Sequence, residues 1–186
     1  MTLEEIFSLI AEHMVEGLMV HSQMSDYYNF LGLKGYAECH KYHYFEENAN
    51  YRKICEYYMT RYNKLIPDRP FKNPNIIPNN WYQYSRQDVD AGVRKAAIKA
   101  GIEKWVNWEK DTKKLYETYY KELISINEIA AALELEKYIS DVDNELAAAE
   151  EKYIYLNSID YDIFEVTSKQ EKKYKQYKKK LKEIEL

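Results

Sequence analysis

From Thr2 to Phe30 the residues Ile6, Leu9, Ile10, His13, Met14, Gly17, Leu18, His21 and Met24 recur at spacings of three and four. This is the pattern of one buried helical face. Thr2 followed three residues later by Glu5 gives a capping box, in which side chain and backbone satisfy each other's unpaired groups. Gly32 and Gly35 then break the pattern within Leu31 to Gly35 and predict a short turn. Helical spacing resumes from Tyr36 to about Leu65 through Cys39, Tyr42, Phe45, Ala49, Ile54, Tyr58 and Tyr62. The first two helices therefore form an antiparallel hairpin.

Pro67, Pro70, Pro74 and Pro78 fall in one stretch with Asn73, Asn75, Asn79 and Asn80, which excludes a regular element and predicts a crossover over residues 66–87. A third helix is expected from Asp88 through Val93, Ala97, Ile102, Trp105, Val106, Leu115 and Tyr119 to about Ile124, capped by Ser85 or Asp88. A fourth runs from Asn127 through Ile129, Leu133, Leu135, Ile139, Val142, Leu146 and Ala149 to about Leu156. It forms a second hairpin with the third. Tyr174, Tyr177, Leu181 and Ile184, spaced by three and four among many lysines, predict a fifth, basic amphipathic helix over 165–185.

Composition narrows the picture. A chain of 186 residues with 5 Gly and 4 Pro suits one domain of long helices, the whole of 1–186. A formal charge of −4 does not ask for a nucleic-acid or membrane partner of the whole molecule. No apolar run approaches the roughly 20 residues that span a bilayer, and the first residues carry no signal-peptide pattern. Cys39 and Cys55 lie on one helix about four turns apart, beyond disulfide reach. Free thiols, a reducing compartment and a cytoplasmic location are the expectation.

Two long hairpins joined by a long crossover and followed by a terminal helix resemble the ferritin-like bundles. The resemblance covers nearly the whole chain. Trp108-Glu109-Lys110 is similar to the surroundings of ferritin's third-helix glutamate, and Tyr138 through Asp141 to Leu156 resembles its fourth helix. The resemblance implies an all-α bundle, assembly as a homo-oligomer, and a site for iron or another divalent cation with oxidation and storage of iron.

Di-iron members of that family take one Glu from each of two helices and a Glu-x-x-His pair from each of the others. No Glu here is followed three residues later by His. Residues at matching depth are Glu16, Glu47-x-x-Asn50, Glu109 and Asp141-x-x-Asn144, with asparagine at both histidine positions. If the hairpins turn near Leu33 and Ser125, Glu16 lies opposite Asn50 and Glu109 opposite Asp141. Each pair sits 16 or 17 residues from its turn, roughly 25 Å. Four converging carboxylates require cations or raised pKa values. Such a set suits Ca²⁺, Mg²⁺ or Mn²⁺ better than a redox iron pair. The alternative is a scaffold whose carboxylates face solvent and whose metal chemistry is lost.

A second constellation is His40-x-x-His43-x-x-Glu46 on the second helix, with Glu47 one turn from His43 and His21 at the same level on the first. Two imidazoles and a carboxylate suit zinc or iron. The mini-ferritins of the Dps class use an Asp-x-x-x-Glu on the second helix that Ile54 to Tyr62 lacks, and some bind DNA through lysine-rich tails. Eight lysines from Lys169 to Lys182 offer such a DNA contact, diluted by Glu165, Glu171, Glu183 and Glu185. The 20 tyrosines fit core edges or a protein interface. No phosphate-binding loop, nucleophile elbow or Cys-based zinc motif is present.

Overall fold

The computed structural model describes residues 1–67, 74, 77, 85 and 89–184. Helix α1, Leu3–Phe30, starts at the capping box, with the Thr2 side chain accepting from the Glu5 backbone and the Glu5 side chain accepting from that of Thr2. Helix α2, Lys34–Tyr62, begins two residues earlier than the pattern suggests and stops at Asn63, whose left-handed backbone (φ 52°) ends the helix. Between them Gly32 carries φ 78°, a conformation that a side chain would strain.

Most of the crossover expected over 66–87 lies outside the described residues, Asp88 among them. Helix α3, Ala91–Ser125, is capped by Asp90, which accepts from Val93 N at 2.8 Å. Neither Ser85 nor Asp88 is the cap: the oxygen must stand three residues before the amide it satisfies, and Asp90 alone meets that register. Asn127 (φ 63°) reverses the chain into α4, Ile129–Ser158.

The C-terminal segment divides into a short turn of helix, α5 (Ile163–Ser168), and the basic helix α6, Gln170–Ile184. Asp162 starts α5 by accepting from Glu165 N. Gln170 ties α6 down: its Nε2 donates to Val166 O, and its Oε1 accepts from Tyr36 N at 3.1 Å. Helix α6 thus packs along the first half of α2. Four of its lysines are engaged at home, Lys173 over Tyr36, Lys180 over Tyr42, Lys178 over Tyr174 and Lys175 paired with Glu171, and Lys169 just before it lies over Tyr155. Among the described residues no helix is long and apolar enough to cross a membrane.

The bundle is apolar at both ends and polar between. One cluster gathers Val20, Met24, Tyr28, Cys39, Ile102, Trp105, Val106 and Ala149 toward the first turn. The other gathers Ile10, Met14, Ile54, Tyr116, Leu123, Leu135 and Val142. The gap falls between Met14 and Val20 on α1, Cys39 and Ile54 on α2, Val106 and Tyr116 on α3, and Val142 and Ala149 on α4. Every helix therefore interrupts its apolar stripe at one level.

Candidate metal centre

That level is filled by titratable groups. Helix α1 brings His21, fully buried, and Gly17, the one residue there without a side chain. Helix α2 brings His40, also fully buried, with His43, Glu46 and Glu47 on the following turns. Helix α3 contributes Glu109, 2% exposed, and α4 contributes Glu145. Glu47 enters because Gly17 leaves room: a Cβ at position 17 would stand 3.3 Å from the Glu47 Cδ.

Glu109 Oε1 accepts from Trp105 Nε1 at 2.8 Å and lies 3.9 Å from His21 Nε2. His21 Nδ1 and His40 Nδ1 are 3.1 Å apart, one donating to the other. His43 Nδ1 lies 3.1 Å from Glu46 Oε2 and 3.5 Å from Glu145 Oε2. Two trios of ligand atoms each fit within 4.8 Å: His21, Glu109 and Glu145 inside the bundle, and His43, Glu46 and Glu145 toward its side. Glu145 belongs to both.

The electrostatics follow from this crowding. Burial, then the charges of Glu145 and Glu47, push Glu109 well above the carboxylate range. Burial and Glu145 likewise push Glu47 up to about 8. Burial and the charge of His43 hold His21 down to about 3, and burial with its imidazole neighbours keeps His40 neutral as well. Burial also opposes charging of His43, but Glu145 and hydrogen bonding to Cys39, Glu145 and Glu46 outweigh it and raise His43 well above its usual value. Protons on Glu47, Glu109 and His43 then offset most of the layer's negative charge, leaving Glu46 and Glu145 ionised.

Compensation is incomplete in hydrogen bonds. In this layer His21 Nε2, His40 Nε2, His43 Nδ1 and Glu145 Oε2 are buried and make no hydrogen bond of good geometry. Buried polar atoms left this way cost free energy unless a further group satisfies them. His21, His43 and Glu145, though not His40, belong to the two trios, so the donor set of the trios fits a cation.

The residues expected from the sequence divide between this layer and its margins. Glu47 and Glu109 join it, as do His21, His40, His43 and Glu46 of the histidine constellation. Glu16 turns instead to His13, with Oε2 3.8 Å from Nδ1, and His13 in turn bonds Thr112 Oγ1 at 2.8 Å. Asp141 and Asn144 are exposed. With Asn50 they line the outer part of a cavity that ends on His43 and Glu145. The layer thus sets the imidazoles of His21, His40 and His43 beside its carboxyl groups, whereas the oxygen-only set expected from the sequence has none.

Glu145 is the residue that sequence reasoning missed. The hairpins reverse about Gly32 and Asn127 rather than about Leu33 and Ser125. Moving a turn by two residues moves the facing position by four, a full helical turn, and Glu109 meets Glu145 in place of Asp141. Moving the first turn by one sets Gly17 opposite Glu47 and His21 opposite His43. The left-handed Asn127 was the available signal.

No family model matches the chain, and no curated protein matches it. Solved structures do. A humanized archaeal ferritin superposes with a TM-score of 0.76 at 16% identity, covering 92% of this chain and 94% of that one. A closed form of the Archaeoglobus fulgidus ferritin, engineered by site-directed mutagenesis, gives 0.75 at 15% identity over 94% and 96% of the two chains. The open-pore ferritin of the same hyperthermophilic archaeon gives 0.74 at 15% over 91% and 93%.

Proposed function

We propose that this chain, a ferritin-like four-helix bundle in fold, binds divalent cations in the polar layer and takes iron as its cargo. His21, Glu109 and Glu145 would hold an inner cation, and His43, Glu46 and Glu145 an outer one, with Glu145 shared and Glu47 completing the charge balance. The observation that carries this reading is the convergence of buried, hydrogen-bond-deficient ligand atoms on two sets that share one carboxylate.

Mixed imidazole and carboxylate ligation suits iron, manganese or zinc better than calcium or magnesium, which prefer oxygen throughout. The ligand pattern departs from the di-iron motif in polarity. Imidazole precedes carboxylate on α2, as His43-x-x-Glu46, and α1 offers His21 where the family implies a glutamate. The ferritin resemblance extends the reading to iron oxidation and storage in a homo-oligomer.

Anaerobic titration with Fe²⁺ tests it. Saturable binding at up to two ions per chain, lost in Glu145→Gln, is the expected result, and native mass reads the assembly. Absence of Fe²⁺ uptake by a folded chain overturns it. The rival reading, DNA binding through Lys169 to Lys182, rests on charge alone. Salt-sensitive retention of duplex DNA that disappears without α6 would favour it.

A further inference from the structure

A cavity of about 410 Å³ lies between α2, α4 and α6. His43, Glu46 and Glu145 form its floor, so it opens directly on the outer cation position. Its sides carry three ammonium groups, Lys53, Lys152 and Lys180. Lys180 Nζ stands 4.6 Å from the Tyr42 ring centre, and Lys152 Nζ stands 4.2 Å from that of Trp105 and 3.6 Å from Cys39 Sγ. Residues of three helices line this space, which is open to solvent past Lys53, Asp141 and Asn144.

We infer that this cavity binds a small oxyanion, carboxylate or phosphate, that completes the coordination of the cation on His43, Glu46 and Glu145 and is held in place by Lys53, Lys152 and Lys180. The inference rests on the metal reading above. Charge accounting supports it. The lining sets Lys53, Lys152 and Lys180 beside the carboxyl groups of Glu46, Glu145 and Asp141. A divalent cation on the floor takes Glu46 and Glu145 for itself, which leaves Asp141 alone against the three lysines. The cavity is then left with two surplus positive charges, and three protein ligands leave coordination positions vacant on the ion. An oxyanion answers both needs at once, accepting hydrogen bonds from ammonium groups while donating a lone pair to the metal.

The experiment uses the full chain loaded with Co²⁺, whose visible absorption reports its ligands. Inorganic phosphate and acetate are titrated separately, and bound Co²⁺ is counted by elemental analysis at each step. A saturable spectral change is expected with one or both probes. Phosphate alone would mark an inorganic oxyanion site and acetate alone a carboxylate site. The Lys152→Gln/Lys180→Gln double variant should keep its Co²⁺ and weaken anion binding by at least about tenfold, the scale of a lost charge-assisted hydrogen bond. Lys180→Arg, which keeps the charge, should bind the anion within about threefold of the wild type on the same scale.

Bound Co²⁺ whose spectrum ignores both anions overturns the oxyanion site and leaves the metal centre standing. Equal anion affinity in the double variant overturns it as well. Failure to bind Co²⁺ removes the metal centre and the anion site together, an outcome that the elemental count separates from the other two.

Discussion

Replacing Glu47 by Gln isolates the proton that stands where a cation would otherwise balance charge. Burial, reinforced by Glu145, moves the Glu47 carboxyl from 4.5 up to about 8. In the unfolded chain the group ionises near 4.5, whereas in the folded chain it keeps its proton until about 8. Folding therefore binds a proton in this window, and stability falls as pH rises through it before levelling off above the folded value. The slope is about 1.36 kcal/mol per pH unit. Between pH 6 and pH 8 that amounts to at most about 2.7 kcal/mol, and the partial exposure of Glu47 reduces it to about 1–2 kcal/mol. Glutamine has nearly the same shape and no such proton. Urea unfolding of both proteins in chelator at pH 6 and pH 8 is the assay. The wild type should lose about 1–2 kcal/mol more than the variant over this interval. Parallel losses in the two proteins would refute the buried, protonated Glu47.

Cation binding should expel the protons that Glu47, Glu109 and His43 hold at pH 7, about three per chain. Calorimetry in buffers of differing ionisation enthalpy would read this number, and a value near zero would contradict the protonated layer. Asp141→Asn and Asn144→Ala should each change metal affinity by less than about threefold, whereas Glu145→Gln should cost at least about 100-fold, because only Glu145 reaches both trios. Comparable losses in a metal titration of all three would argue against the register of the second hairpin. Gly35→Ala should lift α6 from α2, since a Cβ there would stand 2.6 Å from the Gln170 backbone oxygen. Faster proteolysis within 169–184 of a still-folded bundle would show it, and unchanged cleavage would contradict the docking.

Periodicity made the helices legible because each buries one stripe over many turns, so an error of two residues at an end leaves the stripe intact. Hence α1 and its capping box are read directly from Thr2 and Glu5. The site is less forgiving. Its members come from four helices, and their depth depends on where Gly32 and Asn127 reverse the chain. A two-residue displacement of the second turn exchanged Glu145 for the exposed Asp141, although Glu109 was unaffected. The search for Glu-x-x-His also assumed one polarity, and this chain places His43 ahead of Glu46. The interruption of the apolar stripe on all four helices is the sequence signal that survives such shifts. It runs through Gly17, His43 to Glu47, Glu109 and Glu145 without reference to any turn.

The gap on α1 at Gly17 gives the account its most particular feature. Any side chain at position 17 would crowd Glu47, since a Cβ there would stand 3.3 Å from the Glu47 Cδ. The ligand-type side chain that α1 brings to this layer is His21, one turn away. The layer holds the carboxyl groups of Glu46, Glu47, Glu109 and Glu145 together with the imidazoles of His21, His40 and His43.

The most direct test of the metal centre is an anomalous difference map from crystals grown with Fe²⁺ or Mn²⁺ and no competing chelator. Peaks between His21, Glu109 and Glu145 and between His43, Glu46 and Glu145 are the predicted result. A map with no peak in this layer, or with peaks confined to surface carboxylates such as Asp141, would contradict it.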